Sequence, residues 1–114
     1  MSRAVLDQGD IVWINFDPQK GHEQKGRRPA VVLSNADANR LLNTRAILCP
    51  ISNTDKGIPT QPKLDGRTKT QGVVLCDQVR TVDIVARKAE FIEVMPRDIL
   101  LEVSDIVYSF IEPL

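Results

Sequence analysis

The sequence predicts a mainly β domain with some α: five or more short strands in a small, strongly bent sheet or barrel, followed by one C-terminal amphipathic helix. Three features predict it. Short β-branched and apolar runs recur between turns bearing Gly, Pro and Asp. Only the final segment switches to sustained helical spacing. The chain has 114 residues, 42% of them apolar, enough for one core and one domain spanning 1–114.

Ile11–Phe16 is β-branched and aromatic, bounded by Gly9-Asp10 and Asp17-Pro18, and reads as a strand covered on both faces. Trp13 within it is therefore expected in the core, with stacking on a base as the functional alternative. Pro29–Ser34 is a second strand, entered through a proline that a strand start tolerates. Ala36–Leu42 suits a short helix capped by Ser34 or Asn35. Arg45–Ile51 is a third strand, Lys63–Asp65 a short candidate, and Gly72–Asp77 another strand that Gln78–Val82 continues after a kink. Lys88–Met95 alternates as a strand. Pro96 then suits the first helical position, and Asp98 complements the helix dipole. Ile99, Val103, Ile106 and Phe110, flanked by Leu100, Val107 and Ile111, form the apolar stripe of that helix.

Fifteen Lys/Arg balance fifteen Asp/Glu, but unevenly along the chain. Residues 17–87 carry twelve basic and seven acidic side chains, whereas residues 90–114 carry one and six. A basic half suggests an anionic ligand; chance clustering of surface charge is the bland alternative. No apolar run reaches the ~18–20 residues of a membrane span. The N-terminus turns acidic before a signal-peptide core forms, so a cytoplasmic protein is expected. Cys49 and Cys76 sit in apolar runs and read as reduced core thiols. One histidine and two distant cysteines offer no metal-ligand spacing, and no cofactor motif is present.

Between the first two strands, residues 17–28 hold two glycines, four basic residues and the sole histidine. Long loops in small domains tend to carry function. Arginine offers a fork matched to phosphate oxygens, and Glu or His nearby can move a proton. A solvated hairpin loop of alternating charge would have the same composition.

The chain resembles the MazF/PemK family of toxin–antitoxin endoribonucleases, including its Kid-like branch. The resemblance rests on Gly9–Pro18, on Gly21-His22-Glu23-Gln24 with Arg28–Ser34, on Pro50-Ile51-Ser52 with Lys56-Gly57, and on Gly72–Thr81, in that order. It implies an SH3-like barrel of about five to seven short strands with short helices, and usually a homodimer. It also implies a metal-independent, sequence-specific endoribonuclease for single-stranded RNA, neutralised by a cognate antitoxin whose acidic, disordered tail would suit a basic cleft.

By the same resemblance Arg28 is the central catalytic residue, Glu23 helps organise the site, and Ser52 stands where threonine is usual. His22 and Asp77 match positions with roles in the Kid-like branch, but Leu75 replaces that branch's arginine, so its acid–base assignment does not transfer whole. Metal-free cleavage through the 2′-OH needs a base, an acid and fixed positive charge at the phosphorane. Arg28 is expected to stabilise charge and Ser52 to donate to a phosphate oxygen, while the base is left open among Glu23, His22 and Arg28. Lys20, Lys25, Arg27, Lys56, Arg67 and Lys69 are expected to position phosphates, and Gln24, Asp77, Gln78 and Arg80 to contact RNA. The rival expectation is a non-catalytic gyrase poison on the same fold. The Glu-Gln…Arg-Pro and Pro-Ile-Ser stretches favour RNA cleavage.

Overall fold

The computed structural model describes residues 3–16 and 26–114. In chain order these form β1 (Asp10–Asn15), β2 (Arg27–Val32), α1 (Ala36–Leu41), β3 (Arg45–Ser52) and β4 (Val73–Val74). A 3₁₀ turn at Cys76–Gln78, β5 (Arg80–Asp83), β6 (Glu90–Val94) and α2 (Arg97–Ile111) follow. Every strand pairing is antiparallel, and the sheet runs β4-β3-β2-β1-β6, with β5 also paired to β3. The architecture is the expected one, except that the sheet does not close: β4 and β6 end it without pairing to each other.

β3 holds the sheet together because its two edges serve three neighbours. One edge meets β2 through Leu48–Pro50. The other is divided, Arg45–Leu48 pairing with β5 and Ile51–Ser52 with β4.

Alternation along the strands supplies two cores, one on each face of the sheet. Ile11, Val31, Cys49 and Ile51 join Ile99, Leu100 and Val103 of α2 in one cluster. Val12, Ile14, Ala30, Val32, Ala46 and Leu48 join Leu6, Phe16 and Val82 in the other. Each large aliphatic chain so buried contributes about 1.5–3 kcal/mol. Cys49 and Cys76 are free and buried in the first cluster. Burial pushes both thiols up, Cys76 to about 12.

Several local expectations are corrected. Lys63 makes only an isolated bridge to Val73, because residues 53–71 are committed to a loop. Of Gly72–Asp77 only Val73 and Val74 are strand; the 3₁₀ turn at Cys76–Gln78 redirects the chain into β5. Of the two cap candidates for α1, Asn35 is the one used, its side chain accepting from the Ala38 N–H, while Ser34 is buried against Asn39. Pro96 occupies the cap position of α2 rather than its first turn. Burial in α2 ends early: Ile106 and Val107 are half-covered, but Phe110 and Ile111 are exposed. Fifteen residues make a rod of about 22 Å, of which Ile99, Leu100 and Val103 in the first half are buried.

Candidate active site

β2 begins with the two arginines the sequence singles out, and its register with β1 places them. Ile14 stands opposite Arg28, and Trp13 opposite Pro29. Trp13 is not a core residue: it is 42% exposed. Ile11, two positions earlier on the same face, is covered by the α2 cluster, whereas the helix leaves Trp13 open. The opening is a cleft of about 470 Å³. Trp13, Arg27, Arg28 and Pro29 line it from β1 and β2, and Ile92 from β6. Asn53, Lys69, Thr70 and Gln71 line it from the β3–β4 connection. Ile92 reaches the cleft at an irregularity in the β1–β6 ladder: Ile11 faces Glu93 and Val12 faces Phe91, so Ile92 is skipped. An extra residue of this kind re-aims a side chain.

Ser52 ends β3, two residues beyond Pro50, while Arg28 precedes Ala30 by two, and Ala30 and Pro50 are cross-strand partners. That pair is the last of the β2–β3 ladder, so positions 28 and 52 lie just beyond it at the same end of the two strands; Ser52 does not line the cleft, which its neighbour Asn53 enters. Ser52 is buried, and its Oγ accepts from the Thr54 N–H at 3.1 Å. A hydroxyl accepting one bond keeps its own hydrogen to donate. Gly72 lies tight against this residue: its φ is +123°, and an added Cβ would fall 2.2 Å from the Ser52 carbonyl oxygen. Only glycine lets the returning chain approach so closely.

The remaining expected residues divide. Arg27 lines the cleft but is engaged, with Nη2 2.7 Å from Glu90 Oε1 and Nη1 donating to the Lys88 carbonyl. Lys69 also lines the cleft. Arg67 does not; it bridges Asp65 and Asp98, each at 2.8 Å. Hydrogen bonds from Arg67 hold Asp65 down to about 2, and lower Asp98 as well. Lys56 is exposed on the loop after β3, away from the cleft lining. Asp77 and Gln78 lie in the 3₁₀ turn, and Arg80 in β5 has its guanidinium 5.6 Å from the centre of the Phe16 ring; none of the three lines the cleft. Lys20, His22, Glu23, Gln24 and Lys25 lie outside the described residues.

Sequence reasoning missed Asn53, Thr70, Gln71 and Ile92 as lining, and Glu93 behind them. Glu93 on β6 accepts from the Lys69 N–H at 3.1 Å, and from the Thr70 N–H and hydroxyl at 2.8 Å each. Partial burial works against its charge, but these hydrogen bonds prevail and hold the carboxyl below its ordinary value. No sequence signal ties residue 93 to residue 70, since the link exists only once β6 is beside the loop. A larger groove of about 600 Å³ opens between Arg3–Leu6, α1 and the β5–β6 turn, and none of the expected residues lines it. Among the described residues no cluster of three or more His, Cys, Asp or Glu is placed to hold a metal, and no helix is long and apolar enough to cross a membrane.

Comparison with known proteins adds three findings. Residues 7–111 match the family model of the PemK-like, MazF-like toxin of type II toxin–antitoxin systems. The chain is 46% identical over 90 residues to the endoribonuclease toxin MazF of Escherichia coli K12, covering 78% of each, and 35% identical over 105 residues to the endoribonuclease PemK of Escherichia coli, covering 89% of this chain and 78% of that one. Its fold superposes on the crystal structure of MazF from Deinococcus radiodurans with a TM-score of 0.91 at 40% identity, over 97% of this chain and all of the other. It also superposes on a MazE–MazF crystal structure from that organism with a TM-score of 0.83 at 39% identity, over 94% of this chain and 96% of that chain.

Proposed function

The chain belongs to the PemK-like, MazF-like family of type II toxin–antitoxin toxins, and on that premise we propose that it is an endoribonuclease that cuts single-stranded RNA without a metal ion. The observation that carries this reading is Arg28 in the wall of a cleft that also bears a half-exposed tryptophan, with Ser52 on the neighbouring strand just beyond the same end of the β2–β3 ladder.

In the proposed reaction the 2′-OH beside the scissile bond attacks phosphorus. The 5′-oxygen leaves and takes up a proton from a general acid or solvent water, giving a 2′,3′-cyclic phosphate and a 5′-OH. Arg28 stabilises the charge that gathers on the phosphorane oxygens, and the Ser52 hydroxyl hydrogen adds a donor. Glu23 or His22 takes the 2′-OH proton; Arg28 is a poor base because a guanidinium stays charged to a pKa above ~12. Trp13 offers a face on which a base stacks, and Lys69 attracts the backbone.

The partner follows from the same site. A basic cleft for RNA also suits an acidic antitoxin tail, and the superposition on a MazE–MazF structure supports a cognate antitoxin. A homodimer acting in the cytoplasm, where messenger RNA is translated, completes the reading.

The decisive experiment incubates the chain with a long RNA in EDTA and maps the ends. Cleavage should proceed undiminished and leave 5′-OH ends, and a single 2′-deoxy sugar 5′ of the cut should block it. Strong inhibition by EDTA, or cutting of the deoxy substrate, overturns the mechanism.

A further inference from the structure

The β3–β4 connection folds back on itself before returning to the sheet. The Leu64 N–H donates to the Gly72 carbonyl and the Val74 N–H to the Pro62 carbonyl, so residues 65–71 form the tip of a hairpin-like arm. That tip supplies Lys69, Thr70 and Gln71 to the cleft. Two ties hold it against the body. Arg67 joins it to Asp98 at the start of α2. Glu93 gathers two backbone N–H groups and one hydroxyl from Lys69 and Thr70 onto a single carboxylate.

The second tie is the one that faces the site. Glu93 follows Ile92, the residue skipped in the ladder, which itself lines the cleft, so strand and arm meet at the cleft wall. Consecutive N–H groups aimed at one carboxylate fix the backbone of residues 69–70, because moving either strands a charge-assisted bond. Gln71, next in the chain, is thereby held at the cleft with an amide able to donate and accept, as reading a base edge requires.

We propose that Glu93 is a positioning residue that holds the Lys69–Gln71 wall in place and so determines which base is accepted beside the scissile phosphate. The inference rests on the reading of the cleft as an RNA site. Glu93 touches no reacting atom in this account; its effect passes through the wall.

The test compares wild type with Glu93→Ala and Thr70→Val on a randomised RNA pool, together with KM and kcat on the best substrate and hydrogen exchange at the Thr70 amide. Thr70→Val removes one of the three donors and keeps the backbone pair. Glu93→Ala should raise KM about tenfold, leave kcat within about twofold, speed Thr70 exchange and broaden base preference at one position of the cut site. Thr70→Val should shift KM and preference in the same direction by less. Faster exchange with an unchanged KM and cut-site profile overturns the proposal, as does a fall in kcat at unchanged preference. A wild-type chain that leaves every RNA intact overturns both this proposal and the RNA reading beneath it, which separates the two failures.

Discussion

Arg28 and Ser52 lie on neighbouring antiparallel strands, each two residues beyond Ala30–Pro50, the last pair of the β2–β3 ladder. Both lie on strands rather than on a loop, Arg28 paired with Ile14 and Ser52 with Val73, so each is held by sheet hydrogen bonds of its own. Arg28→Ala should therefore remove cleavage while leaving the fold. The barrier should rise by about 3 kcal/mol or more, as for loss of a principal charge-stabilising donor. Single-turnover cleavage and a thermal melt check this; near-normal cutting would exclude Arg28 from the mechanism.

Ser52 carries a structural bond as well as the proposed catalytic one. Ser52→Ala loses the acceptor for the Thr54 N–H, which costs about 1 kcal/mol of stability. It should also cut about 10²-fold more slowly. Ser52→Thr keeps the hydroxyl and narrows χ1, so rate and melting temperature should stay close to wild type. An alanine variant that melts lower yet cuts normally would leave Ser52 with the loop bond alone.

Trp13 is the chain's one tryptophan, so its fluorescence reports directly on the cleft. Adding a non-cleavable RNA should quench or shift its emission. Trp13→Ala should weaken binding by about 1–3 kcal/mol, the usual worth of a base–aromatic stack, and Trp13→Phe should recover most of it. Emission that stays constant as RNA saturates would show that no base stacks there.

The arm at residues 65–71 should respond to acid late. Partial burial works against Glu93's charge, but the bonds from Thr70 and Lys69 lower its carboxyl, and those from Arg67 lower Asp98 and bring Asp65 from 3.8 to about 2. A carboxyl whose folded value is depressed contributes fully above its unfolded value and loses that contribution as pH falls through the folded one. The ties thus persist through mildly acidic pH and release below the ordinary carboxylate range. Thr70 and Arg67 resonances followed by NMR from pH 6 downward should hold steady until the pH is below the ordinary values of these carboxyls, 4.5 for Glu93 and 3.8 for Asp65 and Asp98. Movement centred at pH 5 or above would contradict the lowered values.

Legibility in the sequence followed physical range. β1, β3 and β6 are legible because alternation is a local signal, and both covered faces of β1 show in Ile11, Val12 and Ile14, whereas Lys63–Asp65 and most of Gly72–Asp77 are not strand. Arg28 stands out in the sequence beside Pro29, but the strand expected over Pro29–Ser34 runs Arg27–Val32, so Arg28 lies within it because β1 pairs with residues 27 and 28. Trp13 was misread because the reach of α2 over the sheet is not written near residue 13. Phe110 and Ile111 keep helical spacing but are exposed, and spacing alone does not tell how far along a helix its cover extends. The cleft wall at Thr70 and Gln71 depends on a tie to Glu93, twenty-three residues away, and no short-range pattern encodes such a tie.

The strand pairs Ile51–Val74 and Ser52–Val73 bracket the long connection, so the chain departs from and returns to neighbouring sites on the sheet. A deletion within β3 would invert its alternation and turn both cores inside out. A change in the length of the arm tip at residues 65–71 inverts no strand and empties neither core, and doubling a loop costs only about 0.6 kcal/mol in closure. Descendants of this sequence can therefore lengthen, shorten or replace the arm while the arginine–serine pair stays fixed. Divergence in the RNA sequences recognised would then accumulate in one segment, and the cutting chemistry would be inherited intact.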